Sequence, residues 1–391
     1  MSSDPIVAEF DATLTEDERS LIDRARDFAH LVVAPQAAEW DRERRHPTET
    51  LRAACAAGLA GLELPQELGG AGLRFSAKLR VAEELARADF GFAFSLINHH
   101  NALLRIARTP GPLRERLLPR MLAGDAIGCA AYSEPGHGSD LGHLTATAVR
   151  AGQGWRLNGT KSWITNAAVA DVFLTLVQTD PAAGAKGIAL ILVESAGEGF
   201  LRAPAIELQG GHSIGAGGFE LRDYFAPGEA LLDPPGQAFR HSLAGINGAR
   251  CYVAAMCAGL LDAAIDVAVH YTARRTVFGR PVLEFQGLRW SLVDAANDLA
   301  ALRLLCYRAA RFIDEGREAE EAAAAAKKFA GDNTVAHLAA CVQALGANGL
   351  RSEFPLMRHL VAAKSACFTD GTTEIMNERL GKLLVRRRGP T

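Results

Sequence analysis

Along the first third of the chain, apolar residues return every three or four positions. Thr15 and Glu18 form a capping-box pair, and Leu21, Ile22, Ala25, Phe28, Ala29 and Val32 follow at a spacing near 3.6, so a helix is expected to start there. Pro35 is expected to end or bend it, because proline has no N–H to give to the preceding turn. The same periodicity predicts helices over residues 49–60, 77–88 and 96–123, broken by the turn Gly69-Gly70-Ala71-Gly72. From residue 126 the pattern shortens. Stretches of β-forming residues between Gly and Asn turns predict strands over 144–151, 155–157, 160–165, 171–178, 187–194 and 216–225. Asn158-Gly159, flanked by two of them, predicts a hairpin. After Pro234-Pro235-Gly236, Ala/Leu-rich helices return over 237–273, 284–314, 317–346, 355–367 and 373–386, and four long ones are enough for a bundle.

The expected fold class is therefore α+β in three parts: a helical domain (1–125), a central β barrel or sandwich (126–235) and a C-terminal helical bundle (236–391). Strands and helices are segregated, which argues against a Rossmann fold. With 391 residues and 49% hydrophobic content, the chain can fill such cores. A net charge of −3 gives no basic field for nucleic acid or an anionic membrane, so neither is expected as a partner. The N-terminus has no basic segment leading into an apolar run, and a cytoplasmic protein is expected. Seven cysteines are scattered without C-x-x-C spacing, so they are expected to be buried thiols and no metal site is expected.

Three segments carry candidate chemistry. Tyr132-Ser133-Glu134-Pro135, followed by Gly138-Ser139-Asp140, offers hydroxyls and flexible backbone at the mouth of the β region. Trp163-Ile164-Thr165-Asn166 adds a flat aromatic face beside a hydroxyl. Near the C-terminus, Thr369-Asp370-Gly371-Thr372-Thr373-Glu374 holds two carboxylates at a helix start. Asp370 has two readings there: a general base whose pKa burial would raise, or a plain N-cap of the last helix.

In this order, with Arg275-x-x-Phe278-Gly279 between them, the segments resemble the acyl-CoA dehydrogenase family over nearly the whole chain. The resemblance implies FAD as cofactor, with Tyr132, Ser133, Trp163 and Thr165 at the isoalloxazine ring and Ser139 near the phosphopantetheine or pyrophosphate. It implies that Arg275, Phe278 and Gln286, with Gln343, Gly346 and Ala347, reach the FAD of a neighbouring subunit, hence a homodimer or homotetramer. Thr372 and Glu374 would serve the flavin site, and Glu374 is the second candidate for the base. The substrate would be an acyl-CoA or acyl-carrier-protein thioester, contacted by Asn247, Arg250, Thr369 and Gly371, with its carbonyl bonded to the backbone N–H of Asp370. Asp370 would take the α-proton, hydride would go to flavin N5, and the electrons would pass to an electron-transfer flavoprotein.

Several positions depart from the family pattern. Asp370 replaces its usual Glu, Thr369 its Tyr, and Val361-Ala362 its Arg-Asp. Ala249 leaves the alternative position for the base without a carboxylate. Being one methylene shorter, an Asp requires the substrate about 1–1.5 Å closer for proton transfer. His99 and His100 lie in the region that lines the family's acyl pocket, so they either contact a polar acyl group or form a structural network. Two other outcomes remain open: a nitroalkane-oxidase-like flavin oxidase, which also uses an Asp, and an FAD-binding homologue that has lost activity.

Overall fold

The computed structural model describes residues 4–388. Helix α1 (Pro5–Asp11) is capped by Asp4, and α2 (Glu16–Phe28) by the expected box: the Glu18 N–H donates to Thr15 Oγ1 at 3.2 Å and the Thr15 N–H to Glu18 Oε2 at 2.9 Å. Pro35 does not end the helical run. One turn of π-helix (Ala29–Val33) precedes it and α3 (Ala34–Arg42) continues, the wider turn accommodating the missing donor. Then follow α4 (Thr48–Ala56), α5 (Phe75–Ala88), α6 (Phe90–Ala107) and α7 (Pro112–Leu122). The pattern read as one helix over 96–123 splits at Arg108–Gly111, where Pro110 and a left-handed Gly111 (φ 127°) interrupt it.

The central part is one sheet: β1 (Gly128–Ala131), β2 (Thr147–Ala151), β3 (Gly154–Ile164), β4 (Val172–Gln178), β5 (Ile188–Glu194), β6 (Phe200–Arg202), β7 (Gly217–Pro227) and β8 (Leu231–Asp233). The strands are ordered β6-β7-β3-β2-β4-β5-β8, and β1 pairs in parallel with β4. The expected Asn158-Gly159 hairpin is absent. β3 runs straight through that dipeptide, and the β2–β3 turn lies at Gly152-Gln153, with Ala151 paired to Gly154. The dipeptide serves a bulge against β7 instead. Asn158 Oδ1 accepts the Asp223 N–H at 2.8 Å, and Gly159 runs so close to Ala146 that a Cβ would lie 2.5 Å from its Cα.

The C-terminal helices are α8 (Ala238–Arg274), α9 (Gln286–Asp314), α10 (Glu320–Ala344), α11 (Leu356–Ala366) and α12 (Thr373–Arg388). Helix α8 is long and apolar enough to cross a membrane, but 67% of its apolar stretch is buried inside the protein, against α5, α9 and α10. All seven cysteines are buried, as expected.

A buried ion cluster ties the first domain to the bundle. Glu83 on α5 accepts from Arg80 at 2.7 Å, Arg303 Nε at 2.7 Å and the Tyr307 hydroxyl at 2.9 Å. Burial opposes its charge, yet Arg80 and Arg303 pull its pKa down to about 2. Replacing it leaves Arg80 with Asp11 and Glu84, and Arg303 with Asp4 and Asp262, but takes the acceptor from the buried Tyr307 hydroxyl. Glu83→Ala is expected to lower stability by about 1–3 kcal/mol, read as a lower urea midpoint; an unchanged midpoint would show that Glu83 contributes nothing.

Candidate active site

The loop between α11 and α12 holds Asp370 in a conformation most side chains avoid. Asp370 has φ 51° and Gly371 φ 100°, two left-handed residues in succession that reverse the chain sharply. Three groups hold the reversal. Lys327 Nζ on α10 donates to the carbonyls of Ala366 (2.7 Å) and Gly371 (3.4 Å), and Arg250 Nε on α8 donates to that of Asp370 (3.2 Å). The Thr369 hydroxyl donates to Ala366 O at 3.2 Å.

This geometry bears on the two readings of Asp370. Thr372 Oγ1, not Asp370, accepts the Ile375 N–H at 3.3 Å and caps α12. Asp370 Oδ2 is sealed from solvent without a hydrogen-bond partner, although the residue as a whole keeps some surface. Burial raises its pKa to about 6, against the pull of Lys327 and Arg250. A carboxyl so placed gains by taking a proton, which is the property of a base. Glu374 is exposed, and its own backbone N–H and the Thr372 hydroxyl lower its pKa, so it lacks that property.

Arg250 is buried, and its Nη1 donates to Asn247 Oδ1 at 2.7 Å. Burial, then Arg379, lowers its pKa to about 10, which leaves it charged at neutral pH. Lys327 is also buried, and desolvation lowers its pKa. The sequence reading missed Lys327. The available signal was a lysine directly after the five-alanine run Ala322–Ala326 of a buried helix. Tyr132 and Tyr252 complete the chamber, their phenols pushed up by burial and, further, by the Asp370 carboxylate.

At the end of the central sheet lies an aromatic platform. Trp163, last but one in β3, has φ 58° and 65% of its surface exposed, near half-buried Thr165. The loop opposite is locked from below: Lys161 Nζ donates to Glu134 Oε1 (2.8 Å) and Tyr132 O (3.1 Å), while Glu134 also accepts the backbone N–H groups of Thr145 and Ala146. Ser133 is half-buried, its carbonyl accepting the Ser162 N–H at 3.1 Å, and Ser139 is exposed on the loop. Ser162 Oγ and His137 Nδ1 are buried without partners among the described residues. A flat exposed indole flanked by unsatisfied polar atoms fits a planar ring system with polar edges, as FAD has. Lys161 was not anticipated. An isolated lysine in a strand reads as solvent-facing.

The second cluster lies at the far end of α8. Arg275 and Phe278 are exposed, Phe278 at 95% with φ 49°; Gln286 opens α9, and Gln343, Gly346 and Ala347 are exposed on and after α10. Asn348 Nδ2 donates to the Tyr271 hydroxyl at 2.7 Å and so joins the two segments. A cavity of about 660 Å³ opens there, lined by His270, Tyr271, Arg274, Arg275 and Phe354. Along the helix, 25 residues from Arg250 to Arg275 amount to about 37 Å.

The expectation that His99 and His100 touch an acyl group is corrected. His99 is fully buried, with Nε2 at 2.9 Å from Met121 O and Nδ1 accepting the Gly128 N–H at 3.0 Å. His100 is also fully buried, at 2.8 Å from Ala60 O and 3.1 Å from Glu63. They tie helix α6 to the start of the sheet and to the loop after α4. Burial pushes His99 down to about 4, so it stays neutral.

A helical–β–helical fold with a buried, unpartnered carboxyl and an exposed indole fits a flavin-dependent oxidoreductase, and similarity to known proteins shows the family. Residues 15–125, 129–224 and 236–385 match the N-terminal, middle and C-terminal domains of acyl-CoA dehydrogenase. The chain is 32% identical over 377 residues to the mitochondrial short-chain specific acyl-CoA dehydrogenase of Homo sapiens, covering 95% of this chain and 91% of that one. It is similar to butyryl-CoA dehydrogenase from Megasphaera elsdenii (TM-score 0.91, 28% identity, 96% of this chain and 99% of that one). A glutaryl-CoA dehydrogenase from Mycobacterium smegmatis in complex with FADH2 gives TM-score 0.90 at 27% identity over 97% of each chain. The chain belongs to the acyl-CoA dehydrogenase family, oxidoreductases acting on CH–CH donors with FAD as cofactor.

The sign of the Asp370 shift makes a stability prediction. Its folded pKa lies above its unfolded value, so the folded state binds this proton more tightly, and the penalty grows as pH rises from about 4 to about 6. Asp370→Asn should stabilise the FAD-free protein by about 1–3 kcal/mol at pH 8 and by little at pH 4, measured by thermal unfolding at both values. A variant less stable at pH 8 would show that the buried charge carries no penalty.

Proposed function

We propose that this enzyme removes two hydrogens from adjacent carbons of an acyl-CoA, or another acyl thioester, and gives the trans-2-enoyl thioester. The observation that carries the reading is the sealed, unpartnered Oδ2 of Asp370 on a loop clamped by Lys327 and Arg250. When bound, FAD supplies the two-electron acceptor. The chain's own residues handle the proton and the carbonyl. Asp370 accepts the α-proton, and its backbone N–H, which has no acceptor among the described residues, donates to the thioester oxygen as negative charge develops there. Lys327 and Arg250, holding the carbonyls of Ala366, Asp370 and Gly371, keep that N–H and the carboxyl pointing to one place.

The cluster around Arg275 lies too far along α8 to serve the FAD of the same chain's Asp370, and supports a homodimer or homotetramer in which each copy completes its neighbour's cofactor site. An electron-transfer flavoprotein is the proposed electron acceptor, and an acyl-carrier-protein thioester the alternative carrier.

The test is flavin bleaching under saturating acyl-CoA without oxygen. Asp370→Asn should slow it by about 10²–10⁴-fold, and a loss of only a few-fold would remove Asp370 as the base. Since Asp370 must be ionised, the wild-type rate in kcat/KM should fall as pH drops through about 6 and be level above it. Lys327→Met should move that inflection to higher pH, because it removes a cation that favours the charged carboxyl. Oxygen consumption with a nitroalkane, and no bleaching by any acyl-CoA, would favour a flavin oxidase instead.

A further inference from the structure

Behind Tyr252 the wall of the chamber is polar. Lys78 on α5 is buried, ion-paired to Glu63, and holds Nζ 3.4 Å from Asn101 Oδ1, 4.6 Å from the Phe75 ring centre and 5.7 Å from that of Tyr252. Asn101 Nδ2 donates to the Tyr252 hydroxyl at 3.0 Å. Phe75 packs against Gly248, one helical turn before Tyr252, where a Cβ would lie 3.2 Å from the ring. Tyr252 feels the charge of the Asp370 carboxylate, so the network borders that group, and Asn101 and Glu63 within it keep part of their surface accessible.

The network leaves one hydroxyl proton and one ammonium N–H without an oxygen acceptor among the described residues. The Tyr252 hydroxyl accepts from Asn101, but its own proton has no acceptor among the described residues, and Lys78 uses two of its three N–H groups on Glu63 and Asn101. An alkyl chain laid against such groups leaves them unpaired, at a cost that an oxygen on the chain would remove. The charge is already balanced. Burial works against the Glu63 carboxylate, but Lys78 and His100 hold its pKa below the usual range, so it remains a fixed negative charge facing any anionic group brought to Lys78.

From this juxtaposition, and resting on the dehydrogenase reading, we propose that the acyl chain bears a neutral oxygen substituent, hydroxyl or oxo, beyond the reacting carbons, bonded by Tyr252 and Lys78. A purely alkyl chain lacks the acceptor, and a dicarboxylic one meets Glu63.

The experiment compares flavin reduction of the holoenzyme by pentanoyl-CoA, 4- and 5-hydroxypentanoyl-CoA and glutaryl-CoA. The better hydroxylated substrate should exceed pentanoyl-CoA in kcat/KM by about tenfold, the worth of one well-made buried hydrogen bond, with glutaryl-CoA lowest. In Tyr252→Phe, and independently in Lys78→Met, the ratio of hydroxylated to plain substrate should fall toward one. Pentanoyl-CoA equal to or better than both hydroxylated chains overturns the inference and leaves the dehydrogenase reading intact. Glutaryl-CoA as best substrate, or an unchanged ratio in both variants, also overturns it. If none of the four, nor butyryl-CoA, reduces the flavin, both readings fall.

Discussion

A carboxyl oxygen kept from water without a partner is unfavourable, and the C-terminal third of this protein is arranged around tolerating one. Desolvation raises the pKa of Asp370 to about 6, while Lys327 and Arg250 keep it from rising further. Lys327 spends its hydrogen bonds on backbone carbonyls of the loop, Arg250 divides its own between the Asp370 carbonyl and Asn247, and Oδ2 is left unpartnered among the described residues. The division matters. A direct salt bridge to Oδ2 would have lowered the pKa and blocked the proton's landing place, whereas a cation bound to the neighbouring carbonyl stabilises the loop and acts on the carboxyl only through space. The left-handed backbone at Asp370 and Gly371 is held by the same contacts.

The β part contributes by the opposite device: a buried ion pair whose members are fully engaged. Lys161 and Glu134 pair beneath the loop that begins at Tyr132, and Glu134 also collects the N–H groups of Thr145 and Ala146. Removing either member would strand a charge, so the loop is fixed from below while its upper face stays open beside Trp163. Asn166, in the same Trp-Ile-Thr-Asn segment, is bonded to Ser95 on α6 and so seats the platform against the helical domain.

Much of this arrangement was legible in the residues. The capping box at Thr15 and Glu18, the shift of period near 126 and the return of long helices after Pro235 are local signals, and local physics governs them. The Asp370, Arg250 and Asn247 grouping followed from family resemblance, and the structure brings those three together. What escaped depends on partners distant in sequence. Asn158-Gly159 has a turn's composition, but the pairing of β3 with β7 and the closeness of Ala146 make it a bulge. His99 and His100 look like ligand contacts until Met121, Gly128, Ala60 and Glu63 are seen to occupy their nitrogens. Lys161 and Lys327 are buried cations; the alanine run before Lys327 hinted at its burial, whereas Lys161 looks in sequence like the majority of lysines, which face out.

The seven sealed cysteines give the molecule an internal clock. Burial pushes the thiols of Cys55, Cys257 and Cys341 up to about 12, so in the native state they are both unreachable and un-ionised. Alkylation can proceed only through transient openings. Cys55 lies in the first helical part, Cys129 on β1, and Cys251, Cys257, Cys306, Cys341 and Cys367 in the bundle and the loop after it. The order in which a small electrophile finds them would chart which region of the enzyme breathes first, without any engineered label.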